Sequence, residues 1–275
     1  MRSLAVRTRE KIRDDGVRAF LWTAVSFIRG ELNAKIRRPI ENVYWDRYDV
    51  QNIRLNGSQA TFKSRSDQQG DRIRFTVKRE NPIIADFIEE LDSDDSFIDI
   101  GANLGVYTCF AQNIVDEGDI VAIEPDRSNQ QILAANVSLN GGSSVNIIQK
   151  AAGDEPGTLY FNPATESVDP GSEGYEVPSQ PIDELVGNKK EYFPTVAKID
   201  VEGYERQVLE GMSETLSDDR CRLVYCEVHE PATHRPSAES YGGSHTDIQS
   251  ILQNHGFKAE LIERTGKEIH IKATK

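Results

Sequence analysis

Ser96-Phe97-Ile98-Asp99-Ile100-Gly101-Ala102-Asn103-Leu104-Gly105 is an apolar run that ends around an acid and passes at once into spaced glycines. A short apolar run bounded in this way reads as a buried strand. Gly101 and Gly105 lack side chains, which lets backbone and ligand approach closely. In an open α/β sheet ligands bind outside the carboxyl ends of the strands, so Asp99 and the turn behind it are expected to point into a crevice. The helix that starts there offers free N–H groups.

Outward from this stretch the chain alternates. Strands are expected at Ser96 to Ile100, Ile120 to Ile123, Val145 to Gln149, Thr195 to Ile199 and Leu223 to Glu227, with helical stretches between most of them. Such alternation predicts a mostly parallel sheet covered on both faces. A helix over Thr246 to His255 leads through Gly256 into two closing strands, Lys258 to Ile262 and Glu268 to Lys272. The polar stretch Asn162 to Gly174 reads as a surface loop.

Upstream, an Asn56-Gly57 turn joins Ile53 to Leu55 with Ala60 to Phe62, and Arg72 to Val77 alternates apolar and charged residues as a further strand does. Pro82 opens a helix through Phe87 and Leu91. From Val17 to Ile36 apolar residues recur at helical spacing with basic ones between, until Pro39 ends the pattern. That basic amphipathic helix either packs on its own domain or lies on an anionic membrane surface or a partner. The chain thus divides into residues 1–40, a basic helical region, 41–92, a small β/α extension, and 93–275, the ligand-binding domain.

Composition narrows the function. Of the formal net charge of -13, residues 1–38 contribute about +6, leaving 22 basic against 41 acidic residues in the rest. An acidic body repels phosphate backbones, so no nucleic-acid partner is expected. Cys109, Cys221 and Cys226 show no metal-ligand spacing, and their odd number argues against a disulfide framework. The apolar run Ala19 to Ile28 is too short to span a bilayer, and no cleavage site follows it. A cytoplasmic protein is expected, with peripheral membrane contact through residues 1–38 left open.

The glycine pattern is D-x-G-x-N-x-G, not G-x-G-x-x-G, and the acid precedes the first glycine. A dinucleotide brings a pyrophosphate that prefers an uncluttered helix N-terminus, whereas S-adenosylmethionine brings an ammonium, a sulfonium and no phosphate. An acid at the crevice suits the second. Glu124-Pro125-Asp126 ends the next strand, where an acid accepts ribose hydroxyls of either nucleoside. Asp200 falls at the end of the fourth parallel strand, on the same rim, with Glu202 and Gly203 after it. Glu202 and Glu205 also fit the simpler role of helix-start acids. On the fifth strand Glu227 and His229 stand two apart and so share a face, where either meets an acceptor. His234, His245, His255 and His270 form no constellation.

With these segments in hand, the chain resembles the FkbM-type family of S-adenosylmethionine-dependent methyltransferases from about Glu80 to Pro231. The resemblance is carried by F-I-D-I-G-A-N-L-G-V-Y-T from Phe97, I-E-P-D from Ile123, A-A-G-D from Ala151, P-I-D-E-L from Pro181, K-I-D-V-E-G-Y-E from Lys198 and C-E-V-H from Cys226. It implies a Rossmann-like class I methyltransferase fold: α/β, a seven-stranded mostly parallel sheet with helices on both faces and an antiparallel last strand, here with an N-terminal helical and short β extension. It further implies O-methylation of a sugar, glycan, glycolipid or other small metabolite. Asp99, Gly101, Ala102, Asn103 and Gly105 would border the methionine part, Glu124 and Pro125 the ribose, and Gly153 with Asp154 the adenine edge. Asp200 and Glu202 would face the reacting centre.

Methyl transfer is an in-line displacement, so alignment supplies much of the catalysis. A sugar hydroxyl holds its proton tightly and gains from a base, for which Asp200, Glu202 and His229 are the candidates. A carboxylate acceptor needs none, which leaves ether and ester products both open. No metal ligand is assigned: carboxylates sharing one rim leave metal assistance open, but nothing shows ligand spacing for a soft metal. Two other readings are a nicotinamide-dependent oxidoreductase, which lacks its third glycine here, and a non-catalytic, membrane-recruited binding protein on the same fold. The absence of N-P-P-Y or D-P-P-Y and the acidic body argue against a DNA base methylase.

Overall fold

The computed structural model describes residues 50–63, 67–141, 145–169, 174–232 and 235–275. The expected basic helix over 17–36, and any membrane contact through residues 1–38, lie outside them. Two compact units divide the chain, residues 1–51 with 62–72 and residues 52–61 with 73–275. The second holds every candidate site residue.

Strands β1 (Val50–Leu55) and β2 (Ser58–Lys63) form a two-stranded sheet. Asn56 and Gly57 turn between them with φ of 48° and 83°, the left-handed pair that a tight hairpin demands. Helix α1 (Asp67–Arg79) follows, where the alternation over Arg72 to Val77 predicts a strand. The correction has a simple cause. Ile73 and Val77, four apart, are the buried pair, while Phe75 between them is 63% exposed, so the apolar period that matters is helical. Pro82 sits in the first turn of α2 (Asn81–Glu90), whose buried Phe87 packs its ring against Phe97, Tyr107 and Tyr225 at centroid distances of 5.0, 5.2 and 5.8 Å.

The main sheet is built from β3 (Phe97–Ile100), β4 (Ile120–Ile123), β5 (Val145–Ile148), β10 (Val196–Ile199), β11 (Leu223–His229), β12 (Lys258–Thr265) and β13 (Glu268–Thr274), in the order β12-β13-β11-β10-β3-β4-β5. Its neighbours from β5 to β11 pair in parallel, and β13 runs antiparallel between β11 and β12. β3, β4, β10 and β11 are buried along their whole length, as apolar runs covered on both faces must be. Strand order reverses between β3 and β10, which places the crevice at the carboxyl ends of β3, β4 and β10.

Helices α3 (Val106–Ala111), α4 (Arg127–Leu139), α5 (Ile182–Asn188), α6 (Glu205–Glu210), α7 (Ser213–Ser217) and α8 (His245–Asn254) connect the strands. Asp126 caps α4 by accepting from Asn129 N, and Ser244 caps α8 by accepting from Asp247 N. The Pro181-Ile182-Asp183 segment has a structural use: Asp183 accepts from the N–H groups of Glu214 and Thr215 and from Thr215 Oγ1 at 2.7–2.9 Å, closing the start of α7. Asp183→Ala is expected to cost about 1 kcal/mol and to lower the thermal midpoint by about 2–4 °C, read by calorimetry.

A second sheet appears where no sequence pattern announces one. β6 (Ala151–Ala152), β7 (Gly157–Asn162), β8 (Ser167–Asp169) and β9 (Tyr175–Gln180) pair in the order β6-β9-β7-β8. The stretch from Asn162 to Gly174 is therefore not simply a loop. Its residues 167–169 pair with Asn162, Phe161 and Tyr160, and Ser167 and Val168 are buried.

Candidate functional site

The crevice between these strand ends forms a cavity partly open to solvent. Ile100 and Gly101 form its floor, with Ile123, Glu124 and Pro125 on one side and Asp200, Val201 and Glu202 on the other. Lys150, Ala151, Ala152, Phe161, Glu166 and Val168 close it from the second sheet.

The backbone is drawn tight at the floor. Gly101 has φ 83°, and a Cβ placed there lies 1.8 Å from the carbonyl oxygen of Asp200, so no side chain fits between β3 and β10. Gly105, φ 85°, opens α3 and faces Leu133 at 2.5 Å in the same test. Asn103 and Glu202 take left-handed φ of 51° and 54°, and such non-glycine residues concentrate where a site is built.

Glu124 is 4% exposed and fixed from both sides. Its Oε2 accepts from Asn103 N at 2.8 Å and its Oε1 from Asp126 N at 2.8 Å. Burial pushes its carboxyl up to about 7 against the pull of these bonds. Asp99 is used differently from the expectation that it faces the crevice. Its Oδ2 accepts from Thr108 N at 3.0 Å and Thr108 Oγ1 at 2.5 Å, so it anchors the first turn of α3 and does not line the cavity. Burial pushes Asp99 up to about 6.

Asp200, Glu202, Glu227 and His229 come together. His229 Nε2 lies 3.4 Å from Glu202 Oε2, 3.6 Å from Glu227 Oε1 and 3.7 Å from Asp200 Oδ1, and its Nδ1 is 2.8 Å from Glu205 Oε1. Burial alone would lower the imidazole; Glu202, Glu205 and Asp200 outweigh it and hold His229 up to about 10. Lys198, buried on β10, stands 3.6 Å from both Asp200 Oδ2 and Glu227 Oε2. It keeps Asp200 below the usual carboxylate range although burial opposes this. Burial and Asp200 drive Glu227 well above it.

Other expected residues lie elsewhere. Asp154 is exposed, and Gly153 is buried against Ser179 and Tyr204, so neither borders the cavity; Lys150 to Ala152 do. Ala102 and Gly105 support the turn from behind, Ala102 packing with Ala122, Leu133 and Val137. Lys150, Phe161 and Glu166 are cavity residues that sequence reasoning missed. Glu166 sits in the polar stretch expected to be a loop, and it reaches Asn103 Nδ2 at 3.3 Å. Nothing local in the sequence marks it.

The wall chemistry fits a cation without phosphate. Among the described residues Glu124, Glu166, Asp200 and Glu202 line the cavity against one basic residue, Lys150, whose Nζ donates to Gln180. The profile described as Methyltransferase FkbM domain matches residues 99–259, well over half of the 275. The chain belongs to the FkbM methyltransferase family. Methyltransferases of this family use S-adenosylmethionine, which is the cofactor here.

The methyltransferase is similar to the hexuronic acid methyltransferase AglP of Haloferax volcanii, 29% identical over 181 residues that cover 64% of this chain and 72% of that protein. It is also similar to methyltransferase sdnD of Sordaria araneosa, 26% identical over 208 residues, 62% of this chain and 76% of that one. Among solved structures it is similar to Aeropyrum pernix fibrillarin in complex with natively bound S-adenosyl-L-methionine, with 12% identity, a TM-score of 0.46 and coverage of 82% of this chain and 83% of that one. The fold assignment rests on strand order and direction, not on that likeness. With the family established, the nicotinamide alternative falls. Among the described residues no helix is long and apolar enough to cross a membrane.

Proposed function

We propose that the methyltransferase O-methylates a hydroxyl of a sugar, free or within a glycan or glycolipid. The observation that supports this most is the acid wall. Asp200 and Glu202 front the cavity with Glu227 behind them, and such a wall favours a neutral, hydrogen-bond-donating hydroxyl over an anionic acceptor. AglP, described as a hexuronic acid methyltransferase, offers a parallel for a sugar acceptor but not for its charge, because a hexuronic acid bears a carboxylate that this wall disfavours.

In this reading Glu124 holds the ribose hydroxyls, the backbone from Gly101 to Asn103 borders the methionine part, and Lys150 to Ala152 take the base. Asp99 and Gly105 position α3 and the turn. When bound, S-adenosylmethionine supplies a methyl group on a cationic sulfur. Glu202, on the cavity wall, takes the hydroxyl proton, while His229, buried and tied to Glu205, is a positioning residue. Labelled methyl is expected in an alkali-stable ether when the purified protein is given cofactor and a panel of saccharides and glycolipids. Label in an alkali-labile ester, or in no saccharide, overturns the reading.

Glu124 also sets a pH dependence. An unfolded glutamate ionises near 4.5 and this one near 7, so its contribution to stability is lost as pH rises across that window. The ionised form is the one that holds a cationic nucleoside. Cofactor affinity, measured by calorimetry, is therefore expected to rise between pH 6 and pH 8.

A further inference from the structure

We propose that Asp200, Glu227 and His229 bind one divalent cation of the Mg²⁺ or Mn²⁺ class, set against the cofactor cavity, where it takes two neighbouring oxygens of the acceptor. One ligand atom from each of the three residues lies within 4.8 Å of the others. Their separations from Nε2, 3.6 and 3.7 Å, need to close by only a few tenths of an ångström to match the edges of about 3.0–3.4 Å expected from bonds of about 2.1 Å.

Three further observations separate this from a buried ion network. First, the histidine is oriented as a metal ligand is. Its Nδ1 is committed to Glu205 Oε1 at 2.8 Å, and Glu205, fully buried, is itself fixed by Gly203 N at 2.9 Å. A carboxylate behind the imidazole fixes the tautomer and aims Nε2 forward. Nε2, on a side chain 1% exposed, faces the carboxylates of Glu202, Glu227 and Asp200 at 3.4–3.7 Å.

Second, Asp200 Oδ1 is buried and has no hydrogen-bond partner among the described residues, while Lys198 is spent on the other oxygen, Oδ2. Glu227 Oε1 stands 3.6 Å from His229 Nε2 and accepts from Arg79 Nη2 at 3.5 Å, while Oε2, 3.6 Å from Lys198, makes no hydrogen bond among the described residues. Lys198 braces the cluster from one side.

Third, carboxyl groups outnumber cations among the described residues. Glu80, Asp200, Glu202, Glu205, Glu227 and Glu268 are joined through ion pairs and hydrogen bonds with Arg79, Lys198, Arg235 and His229. With the imidazole neutral, as a ligand nitrogen must be, six carboxyl groups face three cations. A divalent ion brings two further positive charges to this group, entering where Asp200 and Glu202 remain 31% and 24% exposed. Carboxylate oxygens suit Mg²⁺ and Mn²⁺, and the imidazole favours Mn²⁺. Such an ion orients an acceptor bearing adjacent oxygens and lowers the pKa of the hydroxyl it holds.

The inference goes beyond the acceptor reading, and its test uses neither cofactor nor acceptor, so each can fail without the other. Chelator-treated full chain is titrated with Mn²⁺ and followed by electron paramagnetic resonance. One tight Mn²⁺ per chain is expected, with a nitrogen coupling from a single imidazole. Asp200→Asn and His229→Gln remove that coupling and weaken binding at least about 100-fold, and Glu205→Gln weakens it about 10–100-fold. Mn²⁺ held without nitrogen coupling marks loose binding to the acidic surface and overturns the site. So does equal binding by folded variants. Because the coupling is read on the wild-type chain, it decides the matter even where a variant fails to fold.

Discussion

Gly101→Ala is expected to abolish cofactor binding and to lower stability by on the order of 3 kcal/mol, or about 6–12 °C in thermal midpoint for a domain of this size. Its φ of 83° costs an alanine about 1–2 kcal/mol, but space is the larger problem. The added Cβ lies 1.8 Å from the Asp200 carbonyl oxygen and 2.8 Å from its carbon. Backbone cannot rotate away as a side chain does, so the ends of β3 and β10 must part. These ends form the cavity floor, and Asp200 N donates to Ile100 O at 2.9 Å there. Gly57 is the matched control. It has the same φ of 83° but nothing within 4 Å of a Cβ, so Gly57→Ala is expected to cost only the backbone term and to leave cofactor binding intact. Scanning calorimetry with and without cofactor reads both variants.

Glu124→Ala is expected to weaken S-adenosylmethionine binding at least about 100-fold, since two charge-assisted hydrogen bonds are worth about 1.5–3 kcal/mol each. The carboxylate also organises the turn it faces, accepting from Asn103 N and Asp126 N. Truncation leaves two backbone donors without their acceptor and loosens the turn as well. Glu124→Gln separates these effects. It keeps an acceptor for the turn while removing the charge, so it is expected to fold normally, bind weakly and lose the pH dependence between 6 and 8. Isothermal calorimetry across that range measures all three outcomes.

The main sheet was legible because parallel strands buried on both faces must be apolar throughout, and each such run here ends in an acid or a glycine. Asp99-x-Gly101, Glu124-Pro125 and Asp200-x-Glu202 therefore located the rim before any coordinate did. What Asp99 does on that rim was not legible. A strand-end acid faces either the crevice or the helix behind it, and the choice was made by Thr108, nine residues away. The second sheet was hidden for another reason. Its strands are short, β6 only Ala151–Ala152, and β7 and β9 alternate exposed with buried residues in a polar context, so their pairing depends on contacts no local pattern records. Glu166 and Lys150 reach the cavity through that sheet and were lost with it. The helix at Asp67–Arg79 misled through a coincidence of spacing, since Phe75 completes an alternation that burial ignores. Glu227 and His229 were placed together by strand period alone, yet the carboxylate cage around the imidazole needed Glu205 from α6.

Direct titration of the purified chain with S-adenosylmethionine and, separately, with NAD⁺ reads the wall chemistry most simply. One equivalent of S-adenosylmethionine is expected to bind, with heat lost in Glu124→Ala, and the pyrophosphate-bearing nucleotide is expected to give none. Absence of heat with S-adenosylmethionine, or tighter binding of NAD⁺, would contradict an acid-walled cleft made for a cationic nucleoside.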